Sequence, residues 1–137
     1  MSVLARASAE EIDARLAPLP ALPPHVTLRG PETGLTMVRG RTGGGGAAFN
    51  LGEITVTRCT VKAGGLVGHA YVAGRHPARA LLAARLDAAL QDPAWHDRIA
   101  AEVIAPLADA QAQARAATAA KAAATRVDFF TLQTMRT

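Results

Sequence analysis

The spacing of apolar positions changes period along the chain, and each change marks an element. In "SAEEIDARLAPL", Ile12 and Leu16 fall four apart on one helical face. Ser8 stands at the N-cap, with Glu11 three residues on in capping-box position. The prolines of "PLPALPPH" end that helix. From His25 to about Arg75 the period falls to two. "HVTLRG", "GLTMVRGR", "GEITVTRCTVK" and "LVGHAYVAG" are strand-like runs separated by Gly and Pro. Their short connections predict an antiparallel meander. In the second run Leu35, Met37, Arg39 and Arg41 share a face. In the third, the apolar set moves from Ile54 and Val56 to Cys59 and Val61, and a bulge near Arg58 is the expected cause.

Helical spacing returns at Pro77. Leu82, Leu86 and Leu90 form one stripe; Ile99, Val103 and Leu107 form the next, behind an Asp92 N-cap and Pro93. Pro106 is expected to kink or break that second helix. "ADAQAQARAATAAKAAATR" has high helix propensity and no large apolar side chain, so it packs closely through alanine or stands exposed. The closing "RVDFFTL" reads as a strand with Val127 and Phe129 on one face and Phe130 and Leu132 on the other. Such a strand needs cover on both sides. The expected fold is therefore one α+β domain over residues 1–137. It holds an antiparallel sheet of four or five strands at about 25–75, an N-terminal helix and an Ala-rich C-terminal helical segment. No internal repeat is present.

Composition tempers that picture. Half of the residues are hydrophobic, but much of that half is alanine, which buries little area. The net charge is +4, and Lys62 and Lys121 are the only lysines, so the positive charge is almost all arginine. A GC-rich genome explains arginine with alanine; equally, the guanidinium fork suits phosphate or carboxylate, and an anionic ligand or acidic partner is favoured over a cationic one. The single cysteine, Cys59, excludes an internal disulfide and fits a cytoplasmic location. The acidic, weakly apolar N-terminus is not a secretory signal, and no run reaches the roughly 20 apolar residues of a membrane span.

Candidate chemistry is narrowed mainly by exclusion. The only serines, Ser2 and Ser8, do not lie in a G-x-S-x-G elbow. One cysteine and four scattered histidines give neither an iron–sulfur nor a zinc framework. "GRTGGGGAAFNLGE" lacks the G-K-[ST] of a Walker A loop. Its formal match to a dinucleotide fingerprint fails because a strand, not a helix, follows. Gly44 and Gly45 either form a loose hairpin loop or offer bare N–H groups to an anion, flanked by Arg39, Arg41, Asn50 and Arg58. Glu32 and Glu53 are too few to define paired acids, and Arg75 and His76 either meet an anion or cap a turn. No catalytic residue and no metal site is assigned, and no cofactor is expected on this chain alone. A basic nucleic-acid-binding module is the alternative reading, weakened by few aromatics for base stacking.

Taken together and in order, "ETGL", "GRTGGGGAAFNLGEITVTR", "GHAYVAGR", "LDAALQD", "IAPL", "TRVDFFT" and the opening "MSVLARA" resemble the PhnG family of the bacterial carbon–phosphorus lyase system. The resemblance implies a subunit role in phosphonate catabolism. Its complex displaces adenine from ATP with methylphosphonate, giving α-D-ribose 1-methylphosphonate 5-triphosphate, so ATP is a substrate of the complex. The partners implied are PhnI-, PhnH- and PhnJ-type subunits of a core complex, with a PhnL-type subunit for the reaction; neither membrane nor nucleic acid is implied. Within that role the two-faced tail, Val127, Asp128, Phe129 and Phe130, is expected to be covered on one face by the domain itself and on the other by a partner subunit, and Arg39, Arg41 and Arg58 are expected to hold nucleotide phosphates. The sequence departs from the family pattern at His76, where aspartate is frequent, and in its "LQTMRT" ending.

Overall fold

Ser8 starts the first helix as its spacing requires. Its Oγ accepts the Glu11 N–H (3.1 Å), and a Glu11 carboxylate oxygen accepts the Ser8 N–H (2.7 Å). This closes a capping box over α1 (Ala9–Leu16), whose Ile12 is buried. The computed structural model describes residues 1–41 and 46–127. After α1 come β1 (Val26–Gly40), β2 (Phe49–Ala63) and β3 (Leu66–Ala73). They form an antiparallel meander of order β1-β2-β3. A two-residue turn with Gly64 at φ +59° joins β2 to β3, a left-handed conformation suited to glycine.

The described sheet has three strands, not four or five. "HVTLRG" and "GLTMVRGR" belong to one strand that passes straight through Pro31. β1 is an edge strand, where a missing N–H is tolerated. Register shifts between Thr27 and Arg29, and between Arg29 and Glu32, absorb the irregularity. Glu32 then fixes the segment by accepting from Arg58 Nε (2.7 Å) and pairing with Arg29.

The bulge expected in β2 near Arg58 is absent. β2 pairs with β3 without interruption from Val56↔Ala73 to Ala63↔Leu66, and the extra residues lie opposite, in β1. Ile54 and Val56 do not share the face of Cys59 and Val61. The core face carries Thr57, Cys59 and Val61, so the apparent slip was a change in which face is apolar.

Helices cover one face of the sheet. α2 (Pro77–Ala89) lies on β2 and β3. Its contact stripe is mainly alanine, Ala80, Ala83, Ala84 and Ala88, joined by Leu86, whereas Leu82 and Leu90 are half-buried. The small side chains allow close approach. A Cβ on Gly68 of β3 would fall 2.1 Å from the Ala84 carbonyl oxygen and 2.5 Å from the Ala88 nitrogen. Asp87 accepts the His69 N–H (2.9 Å), and Gln91 Nε2 donates to the Val67 carbonyl (2.8 Å), which pins the same seam.

Asp92 caps α3 (Pro93–Ile99) by accepting the Ala94 N–H. Pro106 does not break the chain of helices. A π-helical turn, Ala100–Ile104, leads directly into α4 (Ala105–Ala124). The wider turn accommodates the proline ring and its absent donor. Ile99, Val103 and Leu107 are all buried, as their spacing predicts, with Leu4, Ile12 and Leu86. Gln111 Nε2 donates to the Val3 carbonyl (2.9 Å); from residue 112 onward the alanine-rich helix is exposed.

Candidate functional site

The two long strands of the first hairpin create the feature that dominates the surface. β3 pairs with β2 only over Val56–Ala63. Beyond it, Gly34–Gly40 and Phe49–Thr55 continue as a two-stranded arm of roughly 20 Å. Near its end Arg39 and Asn50 are direct cross-strand partners. Arg39 Nη2 donates to the Ala48 carbonyl (3.3 Å), which ties the guanidinium to the chain returning from the loop. Arg41 is exposed just beyond. Gly44 and Gly45 lie outside the described residues.

Arg58 stands elsewhere. It is opposite Glu32 at the base of the hairpin, some seven residues or roughly 20 Å along the strands from Arg39. Its guanidinium is engaged by the Glu32 carboxylate, which Arg29 also pairs. Partial burial would raise the Glu32 pKa, but the Arg58 hydrogen bond and the two guanidinium charges prevail and hold it below its ordinary value. The fold thus brings Arg39, Asn50 and Arg41 together and separates Arg58 from them. Glu53, opposite Met37, is on the arm and is distant from Glu32 in the register.

A second polar cluster lies where β3 turns into α2. Thr57, fully buried, donates through Oγ1 to the Gly74 carbonyl (2.7 Å) and accepts the His76 N–H (3.0 Å); Thr33 Oγ1 is 3.2 Å away. These bonds fix the turn in which Gly74 adopts φ +86°. Arg79 Nη2 donates to the Ala73 carbonyl (3.1 Å) and Nη1 to Ala7 (3.4 Å). An open cleft of about 360 Å³ follows, lined by Ser8, Glu10, Arg75, His76 and Arg79. Arg75 and His76 were legible as a pair. Arg79 was missed, although its position three residues after His76, in the first turn of a proline-started helix, was the available signal. Glu10 has a lowered pKa, from a backbone hydrogen bond and then from the Ser8 hydroxyl.

Cys59 is buried, and burial raises its thiol pKa against a smaller opposing hydrogen bond from the Thr60 backbone. Among the described residues, no group of three or more His, Cys, Asp or Glu side chains is arranged to hold a metal ion. No helix among them is long and apolar enough to cross a membrane. Of the proposed tail contacts, Val127 is exposed; Asp128, Phe129 and Phe130 lie outside the described residues.

The family model described as "Phosphonate metabolism protein PhnG" matches residues 1–135. The chain is also 46% identical, over 135 residues, to a protein of Rhizobium meliloti (strain 1021) named "Alpha-D-ribose 1-methylphosphonate 5-triphosphate synthase subunit PhnG". That alignment covers 96% of this chain and 85% of the relative. Neither match supports a nucleic-acid-binding module.

Proposed function

The chain belongs to the PhnG family, and from that membership we propose that it is a supporting subunit of a synthase forming α-D-ribose 1-methylphosphonate 5-triphosphate. The observation that carries this reading is the near full-length identity to a protein named as a subunit of that synthase. In the proposed reaction a phosphonate oxygen of methylphosphonate attacks C1′ of ATP. The bond from C1′ to adenine breaks, and adenine leaves with the bonding electrons and takes up a proton. The catalytic groups belong to partner subunits; this chain binds, positions and completes the assembly. The partners are of the PhnI, PhnH and PhnJ types, with a PhnL-type subunit for turnover, in the cytoplasm. ATP enters as the substrate of the complex rather than as a resident cofactor of this chain.

Within that assembly Arg39, Arg41 and Asn50, with Gly44 and Gly45 of the intervening sequence, face the phosphates of the nucleotide at a subunit seam. The cross-strand placement of Arg39 and Asn50 supports this, and charge-assisted donors of this kind suit phosphate oxygens. Arg58 serves the Glu32 pair instead. The tail, Val127 to Phe130, packs against a partner.

Reconstitution tests the reading. Adenine release from ATP and methylphosphonate is measured with all subunits, with this chain omitted, and with it restored. Loss on omission and recovery on addition are expected; full-rate release without the chain overturns the role.

A further inference from the structure

The arm displays large apolar side chains where a monomer has no use for them. Leu35 is 66% exposed, Met37 48%, Phe49 49%, Leu51 50% and Ile54 44%. They are not confined to one face. Leu35 and Met37 continue the face that carries Thr57, because Thr33 pairs with Thr57 and side chains alternate; Ile54 follows the opposite face with Val56 and Arg58. Among the described residues both edges are also bare beyond Thr55, whose carbonyl accepts the Gly74 N–H (2.8 Å). β1 is the edge of the sheet throughout, and β2 loses its β3 neighbour before Thr55. An isolated two-stranded ribbon is marginal in water, and a bare apolar edge is a template for pairing with another chain.

We propose that this arm, Gly34–Gly40 with Phe49–Thr55, is inserted into a different subunit of the synthase. The receiving surface is an apolar cleft rimmed by carboxylates. The proposal rests on the subunit reading above and adds the surface through which this chain joins. Charge selects the occupant. The described arm and its tip carry Arg39 and Arg41 against Glu53 alone, with Arg29, Arg58 and Lys62 against Glu32 toward the base. A second copy would bring a chain that is itself +4, so like charge opposes self-pairing, whereas carboxylates at the rim of the cleft meet the basic surplus at the base of the arm and leave Arg39 and Arg41 at its tip to the nucleotide phosphates. Apolar anchors on alternate faces with bare backbone edges suit strand addition combined with pocket filling.

The test uses the full chain co-expressed with the other synthase subunits. Leu35→Asp/Ile54→Asp is compared with wild type and with Tyr71→Asp, which alters an exposed apolar residue off the arm. Recovery of partner subunits on the tagged chain is expected to fall at least tenfold for the arm variant and to remain unchanged for Tyr71→Asp. The isolated variants should melt together with wild type, because the arm lies outside the core. Amide exchange in residues 34–38 and 49–55 should slow at least tenfold on assembly. Undiminished recovery with the arm variant, or arm exchange unchanged on assembly, overturns the proposal. So does a homodimer that the arm variant dissolves. Arm protection in the isolated chain that vanishes on truncation after Val127 overturns it as well, by assigning the cover to the chain's own tail. Failure of the subunit reading is separately visible, as adenine release that does not need the chain at all.

Discussion

Gly68 is where helix and sheet come closest, and Gly68→Ala isolates that contact. The added Cβ would stand 2.1 Å from the Ala84 carbonyl oxygen, 2.5 Å from the Ala88 nitrogen and 2.9 Å from the Ala88 Cβ. The first two are backbone atoms of α2 and cannot rotate away, so the helix must retreat by roughly 1 Å, a gap that forfeits about a quarter to a half of each dispersion contact it opens. The retreat also strains the bonds from Asp87 to the His69 N–H and from Gln91 to the Val67 carbonyl. Overpacking usually costs about 1–3 kcal/mol, and backbone obstacles put this site at the upper end. For a chain of this size that lowers Tm by about 10 °C. Gly30→Ala is the control, since a Cβ there meets nothing within 4 Å. Replacing glycine where the backbone permits it generally raises stability by about 0.4–1 kcal/mol. Thermal unfolding followed by circular dichroism compares the two. A Gly68→Ala protein melting within about 2 °C of the parent would refute the close approach of α2 to β3.

Two further outcomes follow from the polar interior and the surface ion pairs. Thr57→Val keeps the shape but leaves the Gly74 carbonyl and the His76 N–H without their partner; a loss of about 1–3 kcal/mol is expected in urea unfolding, with Thr57→Ser recovering most of it, and equal loss in both variants would count against the hydrogen-bond account. Glu32 has a lowered pKa in the folded chain. Its contribution is therefore present above the ordinary carboxylate value of 4.5 and fades as pH falls through the folded value. The Tm advantage of wild type over Glu32→Gln should shrink on acidification and in high salt; an advantage that persists at pH 2 would show that charge is not its source.

Local signals were the legible ones. The caps at Ser8 and Asp92 and the stripe of Ile99, Val103 and Leu107 depend on neighbours a few residues away, and they stand as their spacing predicts. Signals that depend on a distant partner were misread. Gly30 and Pro31 look like a turn unless β1 is known to be an edge strand and Glu32 to have Arg29 and Arg58 beside it. Ile54 and Val56 look like core unless the helices are known to cover the opposite face of β2, the one that carries Thr57, Cys59 and Val61. The alanine stripe of α2 carries little hydrophobic signal, yet it makes the sheet contact because Gly68 faces it. The site shows the same division. Arginines beside a glycine run were visible in the sequence, but only strand register places Arg39 opposite Asn50 and commits Arg58 to Glu32.

The distribution of apolar size explains why the arm and the assembly belong to one argument. A self-sufficient domain keeps its largest apolar groups inside and leaves alanine for the surface. Here seven of the sixteen residues in the buried hydrophobic set are alanine, while Phe49, Leu35, Leu51, Met37 and Ile54 stand half or more uncovered, or nearly so. Full burial of such a side chain contributes about 1.5–3 kcal/mol. Completing the burial of five half-covered ones therefore yields on the order of 5 kcal/mol before the cost of association. That is comparable with the lower end of whole-domain stabilities, about 5–15 kcal/mol. An alanine-rich core limits what the chain gains by folding alone, and the side chains that would enlarge that gain stand uncovered on the arm. Folding and assembly are then coupled by composition. The chain should be measurably more resistant to unfolding in its complex than in isolation, and the arm is the segment through which that difference is made.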